Sequence, residues 1–136
     1  TVVLSADMDE ASVGVFTDNK TITSVSINEN VKLVNFSIGT ATDYSADNLF
    51  SDCTNLTTIS SLPNNISSAY GMFINCTNLT GTIEIKAENI STFSRSFENT
   101  SKSINAILPK SGTTTYNSFM SYSERPSNVT YTVRSS

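Results

Sequence analysis

The pattern Phe-x-x-Cys-Thr-Asn-Leu-Thr occurs at 50–57 and returns at 73–80. Recurrence at a fixed interval of about 20 to 50 residues restricts a chain to architectures that stack one small unit on the next. The same skeleton continues in weaker form. Phe97 follows Phe73 at nearly the same interval, and Phe119 follows Phe97 likewise. Towards the N-terminus, Phe16, Asn19, Ile22 and Val25 keep the spacing of Phe50, Cys53, Leu56 and Ile59. Leu62-Pro63 precedes Phe73 by the interval at which Leu108-Pro109 precedes Phe119, and Tyr70 and Tyr116 coincide between those marks. The spacing predicts a stack of similar coils.

At about 23 residues per coil, 136 residues hold about five to six coils in one array, above the roughly three that stacking needs. Hydrophobic residues make up 38% of the chain, below the usual 45–50%, while Ser, Thr and Asn supply roughly two fifths. A thin stack reconciles that polarity with order, because each coil turns only a few apolar side chains inward. The charged fraction of 15% also argues against a disordered polyelectrolyte.

Each coil reads as a short helical turn leading into a strand. The helical turns are expected at 46–52, 68–75, 92–98 and 115–122. The strands are expected at 56–62, 79–85, 104–108 and 129–133, with another at 22–27, from period-two alternation such as Val25/Ile27, Ile83/Ile85 and Val129/Tyr131/Val133. The stretch from Phe16 to Phe50 spans about a coil and a half and holds the apolar run 31–38. Residues 1–42 are therefore expected to form an irregular β cap or assembly segment, and 43–136 the regular stack.

Net charge is −4 and the eight Lys and Arg residues are dispersed, which excludes a basic stripe for nucleic acid. No run of about 18 apolar residues offers a membrane span. No leader is visible. Thr1 reads either as the first residue of a processed chain or as the residue left after initiator Met removal, the latter suiting a virion protein that needs no export signal.

The repeated motif resembles the BspA-type leucine-rich repeats of bacterial surface proteins, including those of mycoplasma lipoproteins. Leu49-Phe50, Cys53, Leu56, Ile59 and Leu62-Pro63 carry the likeness, as do Met72-Phe73, Cys76, Leu79 and Ile83. It is close over 43–85 and looser over 86–122. Departures are Thr100 and Tyr122 at Cys positions, and an extra residue in the strands after Leu56 and Leu79. The resemblance implies an α/β, mainly β, leucine-rich-repeat-like solenoid with one parallel strand per coil. It also implies noncatalytic recognition or adhesion, by fold-level analogy.

The structural ladder is expected to comprise Phe50, Phe73, Phe97 and Phe119, with Cys53, Cys76, Asn55 and Asn78. Parallel strands lie about 4.8 Å apart, which permits a Cys53–Cys76 disulfide. Equivalent side chains point the same way, however, which favours buried free thiols, and two thiols with no His make a poor zinc site. Asn55 and Asn78 read as turn residues, or as amides bonding the neighbouring coil. Sequons at Asn19, Asn35, Asn55, Asn65, Asn75, Asn78, Asn89, Asn99 and Asn128 follow largely from the repeat and from the abundance of Ser and Thr.

With no histidine, only carboxylates remain for acid–base work. Asp7, Asp9 and Glu10, and Asp43, Asp47 and Asp52, read as solvated loops or caps, so no enzyme, metal or cofactor is expected. Outward strand positions are expected at Ser24, Ser26, Thr57, Thr58, Ser60, Thr80, Glu84, Thr130 and Thr132. Thr57, Ser60, Thr80, Glu84 and Asn105 are the candidate binding residues, facing a surface protein or carbohydrate. The expected place of action is the bacterial cell surface or extracellular space. The competing expectation is a structural subunit of a phage virion, a tail, head-fibre or decoration protein, contacting neighbouring subunits.

Overall fold

The computed structural model describes residues 2–4, 10–12, 16–30, 32–34 and 46–135. The chain is mainly β, with parallel strands and one short helix among these residues. The strands are β1 (Val2–Leu4), β2 (Glu10–Ser12), β3 (Ser24–Ile27), β4 (Lys32–Val34), β5 (Thr58–Ser61), β6 (Gly81–Glu84) and β7 (Ile104–Leu108). Helix α1 (Thr114–Met120) and strand β8 (Val129–Val133) complete the order. The sheets run β1-β3-β5, β2-β4 and β6-β7-β8. Most of the 31–38 run lies outside the described residues, as do Asp7, Asp9, Asn35, Asp43 and the 42/43 boundary. The β3–β5 pairing joins residues from either side of that boundary.

Register follows the repeat interval where Val2 pairs Val25, Ile83 pairs Ala106 and Ala106 pairs Tyr131, and spans the longer stretch between Phe16 and Phe50 where Val25 pairs Ile59. The extra strand residues are absorbed locally. β3 and β5 shift register after Val25–Ile59, so Ser26 pairs Ser61 and Ser60 bulges out. Gly81, at φ +94°, opens β6. Thr80 N–H still reaches Thr57 O at 3.0 Å across that discontinuity.

Three of the four expected helical turns are not helices. Within 46–53, N–H groups of Leu49, Ser51 and Cys53 close tight turns onto Ala46, Asn48 and Phe50 O, all at 3.1 Å. The alternate N–H groups point away: those of Ala46, Asn48, Phe50 and Asp52 donate to Ser68, Tyr70, Met72 and Ile74 O at 2.8–2.9 Å. The pattern repeats one interval on, where Ala69, Gly71, Phe73 and Asn75 donate to Thr92, Ser94, Ser96 and Glu98 O at 2.7–3.0 Å. A left-handed residue at every fourth position is the cause. Asn48 and Asp52 have φ of 57° and 62°, Gly71 and Asn75 61° and 64°, and Arg95 and Asn99 both 60°. A right-handed helix cannot pass such residues, and Gly, Asn and Asp adopt that region most readily. Among the described residues only 114–120 forms an α-helix, capped by Thr113 Oγ1 accepting from Tyr116 N at 3.1 Å.

The core is a column of rings. Phe16, Phe50, Phe73 and Phe97 stack successively with centroids 5.5, 5.4 and 5.4 Å apart. Leu49, Leu56, Ile59, Met72, Leu79 and Ile83 are buried beside it. Phe119, expected as the next rung, leaves the column and meets Phe93 edge-on at 5.2 Å. A continuous helix places its side chains differently from the preceding turns, and Tyr122 Oη reaches Phe97 N instead, at 3.1 Å. At β8 the alternation also gives way: Tyr131 is 41% exposed, with Phe119 at 5.8 Å and the Arg125 guanidinium at 5.0 Å against its ring.

Candidate functional site

Strands β6, β7 and β8 give the broadest described sheet face. Parallel register fixes its outward rows. Thr82, Asn105 and Thr130 form one row, and Glu84, Ile107 and Thr132 the next. Inward positions Ile83, Ala106 and Leu108 are buried. Beyond the second row, Lys86, Pro109 and Arg134 line one shallow depression together with Glu88 and Lys110. At the other end, a depression of about 380 Å³ is lined by Gly81, Thr82, Ser103, Asn105, Asn128 and Thr130, among others.

The polar groups on this face hold one another. Asn105 Nδ2 donates to Thr132 Oγ1 at 3.2 Å, and its Oδ1 accepts from Thr130 Oγ1 at 3.0 Å. Glu84 pairs with Arg134 at 2.9 Å, and Arg134 Nη2 also donates to Ile85 O. Four of the five residues singled out from sequence are exposed, and Asn105 is half-buried. Their hydrogens are less available than exposure implies. Thr57 Oγ1 donates to Thr23 O at 2.9 Å and Thr80 Oγ1 to Ser103 O at 2.8 Å, while Ser60 Oγ lies 3.4 Å from Val25 O. These three hydroxyls therefore present acceptor lone pairs outward, with their donors turned to the neighbouring strand. Thr57 and Ser60 belong to the β5 side; Thr80 precedes β6, while Glu84 and Asn105 lie within the β6-β7-β8 sheet. The face is thus brought together in two parts.

The amides of the ladder bond backbone carbonyls of neighbouring segments. Asn78 Nδ2 donates to Thr54 O at 2.8 Å, Asn55 Nδ2 to Lys20 O, and Asn128 Nδ2 to Lys102 O at 2.9 Å. A second amide column joins left-handed positions: Asn99 Nδ2 donates to Asn75 Oδ1 at 3.0 Å, and Asn75 Nδ2 to Asp52 Oδ1 at 2.6 Å. Five sequon amides are thereby engaged in the fold. Cys53 and Cys76 are free buried thiols, donating to Phe16 O and Phe50 O at 3.0 Å. Burial pushes both up, Cys76 to about 12, so neither presents a thiolate at neutral pH. At the third such position, Thr100 Oγ1 bonds Phe97 O within its own turn at 2.8 Å.

Asp47 accepts from Ser68 Oγ and Tyr70 N, so Asp47 and Asp52 both serve the turns. No group of three metal-ligating side chains occurs among the described residues. Nor is any helix among them long and apolar enough to cross a membrane. Sequence reasoning missed the Lys86, Lys110 and Arg134 grouping and the Arg125 contact with Tyr131. The register 86, 109 and 134, following 84, 107 and 132, was the available signal for the former. Comparison with known proteins finds no match to this chain among family models, curated proteins or solved structures.

Proposed function

We propose that this chain is a leucine-rich-repeat-like solenoid of the BspA type, acting as a noncatalytic recognition or adhesion module. Its ligand would be a surface protein or polysaccharide outside the cell, held on the outward face of β6-β7-β8. The observation that carries this reading is the fixed polar network of Asn105 with Thr130 and Thr132, set in the two rows defined by strand register. Groups already held in place lose little freedom on binding, which suits a flat face making many weak contacts. Such a face gains strength from multivalent display. The repeated ring column and amide ladder support the solenoid reading, because they use equivalent residues one interval apart.

The test is a glycan array and a panel of surface proteins, probed with the wild type and an Asn105→Arg/Thr130→Arg variant in multivalent form. A tenfold or greater loss on at least one ligand, with unchanged melting temperature, supports the face. Ligands bound equally by both forms would discard it.

A second reading, the structural subunit of a virion, rests on the β8 edge. Among the described residues β8 pairs only β7, and Tyr131 on it is exposed. An edge strand presents unpaired backbone groups to another chain. Concentration-dependent assembly that Tyr131→Lys abolishes would favour this reading; a monomer at all concentrations would count against it.

A further inference from the structure

The N–H to carbonyl rungs that join successive turn segments stop at α1. Phe93, Arg95, Phe97 and Asn99 repeat the places of Ala69, Gly71, Phe73 and Asn75, whose N–H groups all reach the following segment. Carbonyls of α1 serve the helix instead, as where Asn117 O accepts from Ser121 N at 3.0 Å. Phe97 N–H finds Tyr122 Oη. The N–H groups of Phe93, Arg95 and Asn99 have no acceptor among the described residues. Phe93 is only 1% exposed, and donors in so enclosed a residue are rarely left unpaired.

A cleft of about 410 Å³ opens at this point, between 91–94 and the side of α1 that carries Thr114, Asn117 and Ser121. Glu124 also lines it and forms no ion pair among the described residues. We infer that this cleft receives an extended peptide segment of a partner protein, whose alternate carbonyls accept from Phe93 N–H in the lining and from Arg95 N–H one residue beyond it, and whose basic side chain meets Glu124. The site is separate from the strand face. The preceding rungs define the acceptor, because they use carbonyls at every second position, Thr92, Ser94, Ser96 and Glu98. Peptide offers that spacing along its backbone, as in strand addition to an open edge. Glu124 and the net charge of −4 select a basic segment over an acidic one.

Backbone amide NMR tests the proposal on the intact chain, with Ac-Thr-Lys-Thr-Lys-NH2 as probe. Without peptide, Phe93 and Arg95 amides should exchange with deuterium at least tenfold faster than those of Gly71 and Phe73. With peptide, their proton signals should move downfield and saturate, while Asn105 and Thr130 stay put. Ac-Thr-Glu-Thr-Glu-NH2 should bind at least tenfold more weakly. Asn117→Trp, which fills the cleft from an exposed helix position, should weaken binding tenfold, and Glu124→Lys should reverse the preference between peptides. Protection of Phe93 and Arg95 equal to that of Gly71 and Phe73 would overturn the proposal. So would shifts confined to β6-β7-β8, affinity indifferent to both variants, or saturation of the cleft by a chitin oligosaccharide in place of peptide.

Discussion

The turn segments at 46–53 and 69–76 and the helix at 114–120 follow equivalent positions in the repeat, yet solve the backbone problem in opposite ways. In the first two, left-handed residues free alternate N–H groups to bond the next segment, so every layer depends on its neighbour. The helix satisfies itself, has no left-handed residue, and ends the rungs. Backbone handedness at a few Asn, Asp and Gly positions thus decides whether a short segment bonds the next one or satisfies itself.

The sharpest contrast lies in the rings. Phe73→Ala opens a hole between Phe50 and Phe97, where layers on both sides resist collapse, and should cost about 4–5 kcal/mol in urea denaturation. Phe119→Ala, at the end under Tyr131 and Arg125, should cost about 3 kcal/mol because that end can relax. Equal losses, or the reverse order, would abolish the distinction between middle and end.

Handedness itself comes next. Gly71→Ala must hold a φ of +61° and would set its methyl 2.5 Å from Asn48 Oδ1, so about 2 kcal/mol should be lost. Gly81→Ala, at φ +94° with nothing within 4 Å, should lose about 1 kcal/mol. In an Asn48→Gly background the two penalties should converge, as thermal melts would reveal.

The buried thiols predict that stability falls in alkaline solution. Cys76 holds its proton to about 12 when folded, against an ordinary value of 9.0, because burial disfavours the thiolate. The unfolded chain releases that proton first, so stability is intact below pH 9.0 and falls as pH rises towards about 12. The slope should approach about 1.4 kcal/mol per pH unit and flatten in Cys76→Ala. Denaturation midpoints from pH 8 upward, identical in slope for both proteins, would refute the assignment.

The amides should matter least. Asn78→Ala removes the bond to Thr54 O and should cost about 1 kcal/mol, whereas Asn117→Ala at an exposed position of α1 should change melting little. A neutral Asn78→Ala would reduce that ladder to decoration.

The parallel strands and the ring contacts were legible in the chain because the Phe, Cys and Leu positions recur at a near-constant interval. The ring column through Phe97 and the strands β7 and β8 follow from that interval and from alternation. The helical expectation failed at 46–52, 68–75 and 92–98 because apolar spacing over two turns looks the same for a helix and for linked tight turns. Asn48, Asp52, Gly71 and Asn75 were the clue, and Arg95 hid it, since Arg gives no sign of a positive φ. Exposure of Thr57 and Thr80 was readable from alternation, but the direction of their hydroxyl hydrogens was not. That direction depends on the carbonyls of Thr23 and Ser103, each remote in sequence.

Scalar couplings transmitted through backbone hydrogen bonds would read the linkage between layers bond by bond. Couplings are expected from Phe50 N to Met72 C′ and from Phe73 N to Ser96 C′, with their alternate neighbours in the same register. Couplings from those same nitrogens to the carbonyls one helical turn earlier would mean ordinary helices, and layers that do not depend on one another.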